Sequence, residues 1–304
     1  MQLFIYFHKD FDGVVSAALL TEIFKKTGKY QKFVYRPVDF DLKNEWLNTH
    51  LEQPAAILDF FYHPDATYYY DHHESSIAEQ YFGENAVDND EMCLNTSYKS
   101  TPSILKYKFA FTFDFSAYAD LLQWSDVIDN CEYTSPNDLY DSQETYILIN
   151  KLISFYRDRN NNEEIIRIIP YILNAPDEYL TIRKELLAEI SQKERLIIDN
   201  LHSLMKIEDN ISFVDQSEIN FVVQRFVSYY YYSDLDYQII IYRKNADYMV
   251  YFGRNAWKKF NSKNLGEIAQ RYGGFGRKDI GGILVQTHSE AEDLVKLITR
   301  DLLL

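Results

Sequence analysis

Residues 3–20, Leu3-Phe4-Ile5-Tyr6-Phe7-His8-Lys9-Asp10-Phe11-Asp12-Gly13-Val14-Val15-Ser16-Ala17-Ala18-Leu19-Leu20, decide how this chain is read. The run before His8 is short, apolar, aromatic and β-branched, which predicts a buried strand. The run after Gly13 is rich in Ala and Leu, which predicts a helix. His8, Asp10 and Asp12 then stand at the carboxyl end of a strand, where an open α/β sheet places its ligand. Alternate residues of extended backbone project to one side, so the three side chains can face a common centre. Imidazole with hard carboxylate oxygens suits manganese, magnesium or zinc rather than copper or an iron–sulfur cluster. A solvated turn with an Asp helix cap is the competing reading.

Working outward, the chain has 304 residues and is 46% hydrophobic, enough for two domains and a sizeable core. Its net charge of −15 argues against a broad surface tracking the phosphates of long duplex nucleic acid. It leaves room for a small phosphorylated substrate held through metals. Cys93 and Cys131 form no ligand pair, and no disulfide framework is implied. Lys9, Asp10 and Asp12 stand where a signal peptide needs its apolar core, and no run has transmembrane length. The expectation is a soluble cytoplasmic protein with no membrane partner.

Three further runs read as strands. Residues 32–37 end on Pro37, taken as the stop; residues 55–58 lead into Asp59; residues 66–70 lead into Asp71-His72-His73. A parallel sheet brings such strand ends to one edge. Carboxylates crowded there are unfavourable unless cations neutralise them. Convergence therefore implies metal, and the number of candidate ligands suggests two ions. Residues 103–123 read as a core helical zone leading to Asp126, residues 130–141 as a polar loop, and residues 146–155 as a helix broken by Asn160-Asn161-Asn162. Residues 177–206 are strongly helical and read as a connecting helix, with a homodimer helix as the alternative. Beyond them, strands are expected at 211–214, 220–223, 236–242 and 248–252, and a helix at 264–271. A glycine-rich stretch at 272–282 follows, then a strand at 283–285. Its glycines can leave backbone N–H groups free for an anion, with Arg277 and Lys278 adding charge; a tight connecting loop is the alternative.

Taken in order, His8-x-Asp10-x-Asp12-Gly13, Asp59 and Asp71-His72-His73 resemble the first three motifs of the DHH phosphoesterase family. The fourth motif, an Asp just past a helix, is matched with Asp126, and Asp129 is its rival. The resemblance implies an α/β fold with a doubly wound, mainly parallel sheet over residues 1–176. A connecting helix over 177–206 and a smaller DHHA1-like α/β domain with a mixed sheet over 207–304 complete it. It further implies a hydrolase with two divalent cations, manganese by expectation, with magnesium or cobalt as alternatives. His8, Asp10 and Asp59 would hold one ion; Asp12, Asp59, His72 and Asp126 the other. His73 would touch the phosphate and Asp71 would orient a histidine. Arg254 and Asn255, with Gly273, Gly274, Gly276, Arg277 and Lys278, would face the substrate. In many family members the glycine-rich loop carries a histidine, where Phe275 or Arg277 stands here. The expected substrate is a nucleotide or a few-nucleotide single strand. A phosphoanhydride hydrolase and a non-catalytic nucleotide-binding module are the alternatives.

Other residues read as structural. Most of the 26 tyrosines and 20 phenylalanines are assigned to core or half-buried packing rather than base stacking. Asp39 and Asp41 read as a turn and a helix cap. Ser16 lies near the metals by position but lacks the base and oxyanion hole of a nucleophile.

Overall fold

The computed structural model describes residues 2–73, 76–82, 87–221 and 223–304. In chain order its first elements are β1 (Gln2–His8), α1 (Phe11–Lys26), β2 (Lys32–Val38), β3 (Ala55–Leu58), β4 (Ala66–Asp71), α2 (Ser76–Phe82), β5 (Val87–Asp88) and β6 (Met92–Leu94). Helices follow: α3 (Thr101–Phe109), α4 (Ala119–Asp129), α5 (Pro136–Tyr140), α6 (Thr145–Arg157), α7 (Asn162–Ile172), α8 (Pro176–Ile182) and α9 (Lys184–Leu204). The remainder is β7 (Lys206–Glu208), β8 (Ile211–Asp215), α10 (Val227–Tyr231), β9 (Tyr237–Lys244), β10 (Asp247–Arg254), α11 (Leu265–Arg271), β11 (Phe275–Arg277), β12 (Ile280–Val285) and α12 (His288–Leu303). The chain forms two compact units, residues 1–133 with 143–187 and residues 134–142 with 188–304.

The sheet of the first unit has, among the described residues, the order β2-β1-β3-β4-β6-β5. All its pairings are parallel except β5 with β6. Strand β3 is buried along its whole length, as a parallel strand covered on both faces requires. From β1 the chain crosses to β2 on one side, then returns to β3 on the other. The order therefore reverses between β1 and β3, and the crevice at such a switch point opens beyond the carboxyl ends of those two strands. Helix α1 is buried on nearly every face, which its run of Val, Ala, Leu and Ile permits. Its start is pressed onto the end of β1: a Cβ on Gly13 would lie 2.2 Å from the His8 carbonyl oxygen. Only glycine allows that approach, which draws Asp10 and Asp12 in beside His8.

The structure corrects several expectations here. Pro37 does not stop β2 but sits within it, in register with Phe7. β2 is an edge strand, where proline's missing N–H breaks no ladder. The zone at 103–123 is two helices, α3 and α4, separated by a 3-10 turn at Ser116–Tyr118. α3 starts on a Ser100 cap with a proline in its first turn. The polar stretch at 130–141 contains the short helix α5, and α7 was not read at all. The buried Ile165, Ile168, Ile169 and Ile172 of α7 nevertheless recur at helical spacing.

In the second unit the sheet order is β11-β12-β10-β9-β8-β7 among the described residues, antiparallel except for β8 with β9. Its core joins Ile239, Ile241, Val250 and Phe252 to Leu265 and Ile268 of α11 and to Ile298 of α12. The strand expected at 220–223 is absent at residues 220, 221 and 223; Val222 lies outside the described residues. The glycine-rich stretch is a hairpin, β11 with β12, rather than an open loop. Among the described residues no helix is long and apolar enough to cross a membrane.

Candidate metal centre

Three strand ends and one helix end supply the side chains. β1 ends on His8, and the turn into α1 carries Asp10 and Asp12; Asp10 caps the helix by accepting from Gly13 N–H at 3.0 Å. Asp59 follows β3 with φ at 56°, a left-handed conformation that Asp tolerates better than most residues. Its N–H is fixed on the carbonyl of Tyr70 at 3.0 Å. β4 ends on Asp71, followed by His72 and His73. Asp129 is the last residue of α4.

Within this group His8 Nδ1 lies 2.7 Å from Asp10 Oδ2 and 3.6 Å from Asp59 Oδ2. His72 Nε2 lies 3.5 Å from Asp12 Oδ2, 3.6 Å from Asp59 Oδ1 and 3.4 Å from Asp129 Oδ2. His73 Nδ1 lies 3.4 Å from Asp59 Oδ1. Three overlapping sets result, each with ligand atoms within 4.8 Å of one another: His8, Asp10 and Asp59; Asp59, His72 and His73; Asp12, His72 and Asp129. His8, Asp12, Asp59 and His72 are buried. Yet His8 Nδ1, Asp59 Oδ2 and His72 Nε2 make no well-aligned hydrogen bond, only close contacts with the charged groups of the cluster itself. Buried polar atoms are rarely left so, and here they converge on one another. A divalent cation fits that arrangement: the donors are imidazole and carboxylate, close enough to share an ion.

The electrostatics agree. Burial, with the charges of Asp59, Asp129 and Asp10, pushes the Asp12 carboxyl well above its ordinary range. Burial and the Asp59 charge push Asp129 up to about 6. Burial pulls the His73 imidazole down, but Asp71, Asp59 and Asp129 outweigh it and hold it at about 10. Burial also opposes charging of His8, and Asp10, Asp39 and Asp59 reverse that, leaving it well above its usual value. The cluster therefore holds protons where it lacks other positive charge. Protons and cations compete for the same atoms, so cation binding strengthens as pH rises and these groups release their protons. Manganese chloride is expected to raise the melting temperature more at about pH 8 than at about pH 5.5. Thermal melts check this, and equal rises at both pH values would count against a metal at these atoms.

Asp71 takes no place among the three sets. Its Oδ1 accepts from the backbone N–H of His72 and His73 and pairs with His73 Nδ1 at 2.9 Å, while Oδ2 accepts from Tyr69 Oη–H. It holds the two histidines in position.

At the fourth motif the structure reverses the order of preference. Asp126 lies inside α4, and its Oδ1 accepts from Ser100 Oγ and Ser103 Oγ, at 2.5 and 2.8 Å. That carboxylate ties α4 to the start of α3. Asp129, one helical turn on, is the residue beside Asp12 and His72. Two further residues position the carboxylates: Thr101, which the sequence reading leaves out, and Ser16, which it places near the metals without this role. Thr101 donates its N–H to Asp12 Oδ2 at 3.0 Å and its hydroxyl to Asp59 Oδ1 at 3.4 Å. It presents the positive end of α3 to the carboxylates, and the Ser100-Thr101-Pro102 signature of a helix start is the signal that could have found it. Ser16 donates to Asp12 Oδ1 at 3.1 Å from one turn along α1.

The substrate-facing residues expected in the second unit fare differently. Asn255 is buried; its amide donates to the carbonyls of Ser233 and Leu235, and its Oδ1 accepts from Trp257 N–H. It holds a turn. The Arg254 guanidinium is ion-paired with Asp279. Gly273, at φ 75°, ends α11, while a Cβ on Gly274 or Gly276 would strike the carbonyl of Gly282 or Ile280 at 2.4 or 2.3 Å. Hairpin packing, not an anion, requires these glycines. Arg277 and Lys278 are exposed at its tip.

No protein-family model and no curated protein matches the sequence. Solved structures do. The pGpG-specific phosphodiesterase PggH from Vibrio cholerae matches with a TM-score of 0.73 at 19% identity, over 99% of this chain and 98% of that one. An exopolyphosphatase-related protein from Bacteroides fragilis matches with a TM-score of 0.51 at 12% identity, over 97% of this chain and 90% of that one. RecJ from Thermus thermophilus, solved with Mn2+, matches at 0.56 and 12% identity over 93% of this chain and 49% of the longer RecJ chain. At such identities the likeness is one of fold, and it agrees with the mainly parallel first sheet and the mixed second one: this chain has the fold of the DHH superfamily.

Proposed function

We propose that this chain is a metal-dependent phosphohydrolase acting on short phosphodiesters, a nucleotide or an oligonucleotide of a few residues. The observation that carries the reading is the convergence of three ligand sets on buried His8 Nδ1, Asp59 Oδ2 and His72 Nε2, whose near neighbours are one another's imidazoles and carboxylates. In this reading His8, Asp10 and Asp59 hold one divalent cation, and Asp12, Asp59, His72 and Asp129 hold a second. Manganese is the expected ion, and magnesium or cobalt are alternatives. Such cations supply a water of lowered pKa and charge for the phosphoryl oxygens. The chain's own residues do the rest. Thr101 and Ser16 fix the Asp12 carboxylate so that its ligand lone pairs need no reorganisation. Asp71 engages His73 Nδ1 and orients the ring, leaving Nε2 for a phosphoryl or leaving-group oxygen. The pGpG specificity of PggH and the exopolyphosphatase relation of a second neighbour frame the substrate choice. The DHHA1-like role of the second unit belongs to the same proposal, with Arg277 and Lys278 as its free-standing cations. Any phosphate contact by Arg254 must displace Asp279.

A panel of 5′-phosphorylated dinucleotides, nucleoside monophosphates, pyrophosphate and tripolyphosphate, each with manganese, magnesium or cobalt, tests the reading. The expected result is metal-dependent cleavage of dinucleotides at least about tenfold more efficient, in kcat/KM, than that of the anhydrides, a preference of about 1.4 kcal/mol. Faster anhydride cleavage would assign a phosphoanhydride hydrolase, and ligand binding without turnover a regulatory module.

A further inference from the structure

Phe40 stands on the 3-10 turn Phe40–Leu42 that follows β2. Its backbone is set by Asp39, whose carboxylate accepts from Phe40 N–H at 2.7 Å. One side of the ring is packed: its centroid lies 4.4 Å from that of His8, 5.8 Å from that of Phe60 at 27° between planes, and 5.5 Å from that of Phe61. Phe60 is buried, but Phe40 remains 44% exposed. Exposure alone would not single this ring out, since Phe111 and Phe275 are more exposed; its contact with His8 does. This one keeps an aromatic surface in water directly against a candidate metal ligand. The surroundings suit an anionic, aromatic ligand. Lys43 Nζ lies 5.6 Å from the centroid of the Phe61 ring, and the Arg157 charge reaches Asp39 and Asp10 from the end of α6.

We infer that Phe40 is a base-stacking, specificity-determining residue: it receives a nucleobase on its exposed ring while the adjoining phosphate faces the His8 cluster. The inference rests on the phosphohydrolase reading and deepens it, naming nucleobase-bearing phosphodiesters as the favoured class. It also sets Phe40 apart from the sequence-based assignment of most aromatics to packing. Nucleobases stack on aromatic rings whatever their identity, so Phe40 favours bases over bare phosphates without choosing among sequences.

The test compares a 5′-phosphorylated purine dinucleotide with the same dinucleotide made abasic. Phe40→Leu keeps apolar bulk over His8 but removes the π face, Phe40→Ala removes both, and Phe40→Trp restores a stacking surface. The readout is the ratio of kcat/KM on the purine substrate to that on the abasic one. It is expected to fall about tenfold in F40L and F40A, through KM, and to recover in F40W. An equal loss on both substrates, or an unchanged ratio, overturns the inference. Wild-type protein that turns over neither substrate with any of the three metals defeats the phosphohydrolase reading instead. Equilibrium binding of the purine dinucleotide then decides the role of Phe40: about tenfold weaker binding in F40L supports stacking, and unchanged binding refutes it.

Discussion

Asp59→Asn is expected to abolish metal-dependent hydrolysis, lowering kcat on the order of a thousandfold or more, equivalent to about 4 kcal/mol of barrier. Asp59 is the carboxylate common to the two proposed ion sites: Oδ2 lies 3.6 Å from His8 Nδ1, and Oδ1 lies 3.6 Å from His72 Nε2 and 3.4 Å from His73 Nδ1. Among the described residues, Asp59 is the one that joins the His8 set to the His72–His73 set. Asparagine is the informative replacement. It tolerates the left-handed backbone at φ 56° and can still accept from the Thr101 hydroxyl, so the change is chiefly one of charge. The same charge is, after burial, the largest influence raising both Asp12 and Asp129. Removing it relieves repulsion with Asp12 and Asp129 but gives up attraction to His8 and His73, so metal-free D59N is expected to melt close to the parent, and to lose the parent's gain on adding manganese. Metal content, thermal melts and initial rates check the three outcomes together. A variant that binds metal and cleaves phosphodiesters at the parent rate would remove Asp59 from the mechanism.

What the sequence made legible, and what it did not, follows from the range of the interactions involved. The β1–α1 segment is local: strand, turn and helix lie within 25 residues, and Gly13 is demanded by a contact with His8 in the same segment. Parallel strand ends share an edge by geometry, which is why the sequence alone groups Asp59, His72 and His73 with His8. Long-range contacts were beyond reach. Pro37 signals a stop only if β2 is interior, and edge position is a property of the whole sheet. Glycines that cradle an anion and glycines that admit a tight hairpin look alike in composition. Only the packing of Gly274 and Gly276 against the β12 backbone separates the two. Asn255 next to Arg254 reads as substrate-facing because residues 253–257 resemble the family's substrate-facing arginine segment; its burial under Ser233 and Leu235 depends on a turn 20 residues earlier.

The fourth motif is the sharpest such case and gives the second large effect: Asp129→Asn is expected to weaken one metal site and reduce kcat about a hundredfold or more, while Asp126→Asn leaves metal binding intact. The two aspartates are three residues apart on α4, so sequence puts both on neighbouring positions of one helix face. What separates them is what each meets. Asp126 meets two serine hydroxyls, from Ser100 and Ser103, at the start of α3. Asp129 meets His72 Nε2 at 3.4 Å, and burial together with the Asp59 charge keeps its proton up to about 6. D126N replaces charge-assisted hydrogen bonds by neutral ones, a loss of about 1–2 kcal/mol in stability, lowering the melting temperature by a few degrees. Because α3 carries Thr101, a modest loss of rate is also expected in D126N, without change in metal stoichiometry. D129N removes a ligand and a repelled charge together, so its metal-free form should be no less stable than the parent while its metal content falls. Isothermal titration with manganese and melts of both metal-free variants distinguish the roles. Loss of metal from D126N with full retention in D129N would return the fourth ligand to Asp126.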